Sequence, residues 1–96
     1  MSTPQVREQF LVISALGANP MELTSVLCRA TQENRCGVVS SRLTRHGEYS
    51  SLTLQVSGSW DALARLEGVL PPLAKRHSFS VNMIRSGALE ARPNSL

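Results

Sequence analysis

Metal ligation or nucleophilic chemistry in this 96-residue chain would fall to Cys28, Cys36, His46 and His77. The cysteines are not spaced as a zinc-knuckle pair, and the histidines lie far from them in sequence, so free thiols and solvated imidazoles are expected. His46 precedes the turn residues Gly47-Glu48, and His77 follows Lys75-Arg76; neither neighbourhood reads as a general base. The chain has no nucleophile elbow, no glycine-rich phosphate loop and no carboxylates paired at helical or strand spacing. Phosphate-ester chemistry on a loop would want an arginine there, and Asn19 has none nearby. These residues predict no catalytic group, no metal and no cofactor, which points to a protein that works by binding.

Charge narrows the partners. The net charge is +3, but Arg29, Arg35, Arg42, Arg45, Arg65, Lys75, Arg76 and Arg85 are scattered and form no stripe. Scattered cations give weak, salt-sensitive attraction for nucleic acid, so direct binding to it is not expected.

The elements that would carry any site follow from periodicity. Gln9 to Leu16 is a strand, and because Phe10/Val12 and Leu11/Ile13 are all apolar, it should sit centrally with both faces covered. Asn19-Pro20 opens a helix: Asn is a good cap, Pro suits the first helical position, and Glu22 can return the cap hydrogen bond. Leu23, Val26, Leu27 and Ala30 form its core stripe, with Cys28 pointing away and Asn34-Arg35 as its stop. Gly37 to His46 and Tyr49 to Ser57 are strands joined by Gly47-Glu48, with Leu52, Leu54 and Val56 on one face of the second. Ser59 caps a second helix, Asp61 suits its first turn, and Leu63, Leu66 and Leu70 face inward. Pro71-Pro72 is expected to break or kink it, leaving Leu73 to Arg76 as a separate turn. Trp60 reads as a packing residue closing the sheet edge. Phe79, Val81 and Met83 mark a fourth strand, and the tail from Ser86 reads as a linker.

The order βαββαβ, with right-handed crossovers, predicts an α+β ferredoxin-like sandwich: a four-stranded antiparallel sheet with both helices on one face. The domain is expected over residues 1–86, with 87–96 as a linker-like tail. The bare sheet face wants a cover, and a homodimer is the simplest one. RNA-recognition modules share this order, but they place stacking aromatics on the central strands, where this chain has only Phe10 beside Leu52, Thr53, Leu54 and Gln55. No apolar run reaches membrane-span length, and Met1-Ser2-Thr3-Pro4 does not open a signal peptide, so a cytoplasmic protein with no membrane role is expected.

Three blocks also resemble a known family: Phe10 to Ala18, Ser41-Arg42-Leu43, and Val56-Ser57-Gly58-Ser59-Trp60-Asp61. They are similar, with matching spacing over almost the whole chain, to the N-terminal ACT domain of the glycine cleavage system transcriptional repressor family. The resemblance implies a regulatory ACT domain that dimerises and contacts a transcriptional activator rather than DNA. It further implies a response to glycine or another small amino acid. In that family the ligand-binding positions would correspond to Gly17, Ala18, Asn19 and Glu22 of one copy and Gly37 and Val38 of its partner. Where amino-acid-binding ACT domains have Asp-Arg-Pro-Gly, this chain has Asn19-Pro20-Met21-Glu22. Glu22 brings bulk and negative charge to a place where glycine exposes backbone amides, and is expected to satisfy those amides itself. Gly37 likewise stands where the family tends to offer an asparagine side chain. The leading expectation is therefore an interaction module, with an amino-acid-sensing dimer as the alternative and an RNA-binding domain behind both. The family usually carries two such domains in tandem.

Overall fold

The structure, a computed structural model, describes residues 8–86. The expected tail beyond Ser86 lies outside them. The element order is β1 (Gln9–Gly17), α1 (Pro20–Glu33), β2 (Gly37–His46), β3 (Tyr49–Gly58), α2 (Trp60–His77) and β4 (Ser80–Arg85). The strands form one sheet in the order β2-β3-β1-β4, every neighbouring pair antiparallel. This is the ferredoxin-like βαββαβ arrangement predicted.

Register decides which side chains meet the helices, because side chains alternate between the two faces of a strand. β1 pairs with β3 from Gln9 opposite Gly58 to Gly17 opposite Ser50, and with β4 from Leu11 opposite Arg85 to Leu16 opposite Ser80. Leu11, Ile13 and Ala15 therefore share a face with Leu52, Leu54 and Val56, and all six are buried. Against them pack Leu23, Leu27 and Ala30 of α1 and Leu63, Leu66 and Leu70 of α2, with Val81 and Met83 of β4 at the margin. Among the described residues the expected cover on both faces of β1 is found on one face only: Leu16 and Ile84 on the other face are exposed. Both helices lie on one side, so a single copy covers only that side.

Two details of the helices differ from the sequence reading. In α1, Thr31 is buried where Val26 was expected, and Val26 is only half-buried beside an open groove. The Thr31 hydroxyl donates to the Leu27 carbonyl at 2.6 Å, which removes the cost of its burial. α2 runs unbroken through Pro71 and Pro72. Leu66 and Leu70 before the prolines and Ala74 after them are all buried, so packing holds one axis across the pair. The prolines and Gly68 lie on the exposed side, where carbonyls that lose their donors can turn to water. The helix stops at Ser78, whose φ of 61° is left-handed, with the Phe79 amide donating to the Ala74 carbonyl at 2.9 Å. That turn brings Phe79 against β1: a Cβ on Gly17 would lie 2.9 Å from the Phe79 Cβ, so only glycine fits there.

Candidate functional site

The β1–α1 loop at Gly17, Ala18 and Asn19 meets the C-terminal end of α2 at His77, Ser78 and Phe79. Asn19 caps α1, its side-chain oxygen accepting from the amides of Met21 and Glu22 at 3.1 Å each. The Leu23 amide donates to the Asn19 carbonyl at 3.0 Å, and Pro20 has no N–H to offer. The donors of the first helical turn are thus satisfied within the chain.

Glu22 does not return the cap bond as the sequence pattern suggested, nor does it take those amides. Its Oε2 lies 2.7 Å from Nδ1 of His77, and since a carboxylate only accepts, His77 Nδ1 carries the proton. The short Asn19 side chain already occupies the helix end, which frees Glu22 to swing across to α2. His77, set aside as ordinary in the sequence, is therefore the second wall of the loop. No local pattern announces it, because 55 residues separate the pair and only the antiparallel course of the helices brings them together.

The cavity enclosed by the loop, Glu22 and His77 has a volume of about 10 Å³. A water molecule nearly fills that space, and an amino acid cannot enter it in a single copy. Gly17, Ala18, Asn19 and Glu22 are brought together, but Gly37 and Val38 are not. Gly37 pairs with Ser57, whereas Gly17 pairs with Ser50, which separates the two sets by roughly 20 Å along the strands.

β2 is the sheet edge on the α1 side, and all ten of its residues are exposed. A bulge at Val39 interrupts its pairing with β3 between Val38 and Ser40. On the helix side Leu43 forms an apolar groove of about 380 Å³ with Pro20, Met21, Thr24 and Ser25. Met21 there is 80% exposed.

The far end of the sandwich differs from the sequence expectation at Trp60. Its ring is 60% exposed rather than packed over the sheet edge. Arg85 lies over it, the guanidinium carbon 5.2 Å from the ring centroid, and donates to both carboxylate oxygens of Glu67 at 3.0 and 3.1 Å. A further Arg85 N–H reaches the Gln9 side chain at 3.3 Å. This clasp ties the start of α2 to β4. Position N1 of the helix projects Trp60 outward, so the closing role falls to the arginine.

Among the other residues singled out by the sequence, His46 contacts the Ser51 hydroxyl at 3.2 Å, and both cysteines are free thiols. Burial pushes the Cys36 thiol above its ordinary range, with Arg65 acting weakly in the opposite direction. Among the described residues no three of His, Cys, Asp and Glu come together as a metal-binding group, and no helix is long and apolar enough to cross a membrane.

The comparisons with known proteins agree with this geometry. The profile of the ACT domain family matches residues 9–84. The glycine cleavage system transcriptional repressor of Escherichia coli (strain K12) is 34% identical over 86 residues, covering 90% of this chain and 45% of that protein. A solved structure described as a glycine cleavage system transcriptional repressor superposes with a TM-score of 0.81 at 27% identity, over 90% of this chain and 50% of the other. An ACT domain protein from Streptococcus pneumoniae shares the fold, with a TM-score of 0.72 at 13% identity over 80% of this chain and 89% of that one. This chain therefore spans about half the length of the repressors it matches. With element order, register and β1–α1 loop all in place, the chain belongs to the ACT domain family and is similar to the glycine cleavage system transcriptional repressor over almost its whole length.

Proposed function

We propose that this chain is a regulatory domain that acts in the cytoplasm by protein contact, pairing with a second copy and docking on a transcriptional activator. The observation that carries the pairing is the β2 edge, exposed along its entire length beside an apolar groove. A free edge offers a ladder of unpaired backbone groups to another strand. The bulge at Val39 leaves Ser40 to His46 as the regular stretch for such a ladder. A second β2 running antiparallel along it would bring its own Gly37–Val38 end level with the Gly17–Glu22 loop, reuniting the two half-sites that one copy holds apart. The exposed Val38 and Val39 would then lie toward the groove of Pro20, Met21 and Leu43.

The other, helix-free face is left for the activator. It carries Phe10, Val12, Leu16 and Ile84 on the β1–β4 side and Thr53, Gln55 and Arg42 on the β3–β2 side. Such mixed faces, apolar with a polar border, suit protein contact. An amino-acid signal, glycine first among candidates by similarity, would have to bind between copies. The satisfied helix amides and the engaged Glu22 favour the contact role over the sensor role in this domain.

Sedimentation over a hundredfold concentration range tests the pairing. A monomer–dimer equilibrium abolished by Leu43→Pro is expected: His46 and Tyr49 pair across a two-residue turn, so the alternating ladder aims the Leu43 N–H away from β3, and proline there removes an outward donor without breaking a β2–β3 bond. A monomer at every concentration overturns it. Thermal unfolding with glycine or serine at millimolar concentration tests the sensor: a raised midpoint establishes binding to the folded state, and no shift leaves the contact role alone.

A further inference from the structure

We propose that the groove between α1 and α2, on the outer side of the helix layer, binds a small organic monocarboxylate, with Arg29 and Arg76 holding the carboxylate. This groove adjoins the β1–α1 loop cavity, with which it shares the Glu22–His77 pair as a wall, but it opens on the other side of that pair and does not depend on pairing through β2. Its volume is about 420 Å³, within the range of small-molecule sites and far above that of the loop cavity.

The lining supplies both halves of such a ligand's needs. Val26 and Leu73 are half-buried and Ala30 is buried, which gives an apolar floor contributed by both helices. This is the same Val26 that the helical period assigns to the core and that the groove leaves partly open. Arg29 rises from α1 and Arg76 from the last turn of α2, so the two guanidinium groups border the groove from different elements. Among the described residues neither lies within 4 Å of a carboxylate. Unpaired guanidinium groups over an apolar surface are well suited to a carboxylate, because each can make two parallel charge-assisted hydrogen bonds.

The acids nearby set the selectivity. Glu22 closes one end but is engaged by His77. Glu33, one turn beyond Arg29 on α1, lines the groove without an ion-pair partner among the described residues. It repels a second carboxylate, so a monocarboxylate with a short branched apolar body fits better than a dicarboxylate.

The test is an amide-resolved NMR titration of the full chain with isovalerate, at constant ionic strength, with succinate, inorganic phosphate and chloride in parallel. Saturable shifts at Ser25, Val26, Arg29, Leu73 and Arg76 are expected with isovalerate. Arg29→Gln and Arg76→Gln should each weaken binding at least about tenfold. Glu33→Gln should let succinate bind as well. Both arginines are exposed, and the amide spectrum itself reports whether each variant is folded. Shifts that do not saturate, that centre on Gly17 to Asn19, or that phosphate or chloride reproduces equally would overturn the proposal. So would folded arginine variants that bind as tightly as the parent.

Discussion

On the helix side of β1, Leu11, Ile13 and Ala15 are buried; on the opposite side of the same strand, Phe10 and Val12 are half-buried and Leu16 is exposed. Composition alone does not separate the two faces, since apart from Ser14 both are apolar along Phe10 to Leu16. The difference lies in the connections. Both crossovers carry their helix to the same side of the sheet, as the usual right-handed connection requires, and among the described residues that side alone acquires a core. Each large aliphatic side chain fully withdrawn from water contributes about 1.5–3 kcal/mol, and the helix-free face forgoes most of this in a single copy. What folding leaves uncovered there is the apolar surface from which a partner can gain.

The sharpest way to break this comparison is at the centre of the covered face. Leu63 is fully buried among Leu54, Val56 and Leu66. Leu63→Ala should lower stability by about 2–5 kcal/mol, because transfer free energy is lost and a cavity remains. Urea unfolding gives the value from the midpoint at unchanged slope. A loss below about 1 kcal/mol would mean that the helix layer is not what holds the sheet.

A smaller effect is expected at the rim of that layer. Arg85 joins Glu67, Gln9 and Trp60, with side chains about one-third exposed at the ion pair. Water screens such a pair, so Arg85→Ala should cost only about 1 kcal/mol, from the forked hydrogen bonds and the ring contact together. Because Trp60 is the chain's one tryptophan, its fluorescence reports the loss directly. An unchanged emission maximum would show that the guanidinium does not rest on the ring in solution.

The contrast between faces also marks what could be read before the fold was known. Strand alternation at Leu52, Leu54 and Val56 and the cap residues Asn19 and Ser59 are local signals, and each stands where it was expected. The reading failed where distant packing outweighs a local rule. Pro71-Pro72 reads as a break, but Leu70 and Ala74 anchor the helix on both sides of it. Glu22 reads as half of a capping box, but His77 arrives from the end of α2 and takes it. Trp60 reads as a packing residue closing the sheet edge, yet the first position of its helix aims it at solvent. The candidate site was legible in its loop residues and not in its second wall, since the Glu22–His77 contact exists only once the sheet order is set.

The smallest expected effect discriminates best between a bare face and a covered one. Ile84 is 67% exposed, opposite Val12 on the helix-free side. Ile84→Thr keeps the β-branch and so the strand preference, and should change the stability of an isolated copy by less than about 0.5 kcal/mol. The same change at Ile13, one residue further along β1 than Val12 but facing the helices, would bury a hydroxyl without a partner and cost several times more, on the order of 2–3 kcal/mol. If self-association runs along the β2 edge, Ile84→Thr leaves the dimer intact, because β4 is the opposite edge of the sheet. A concentration-dependent loss of stability would instead show that a second copy lies on the helix-free face, which would move the dimer from edge to face and close that surface to an activator.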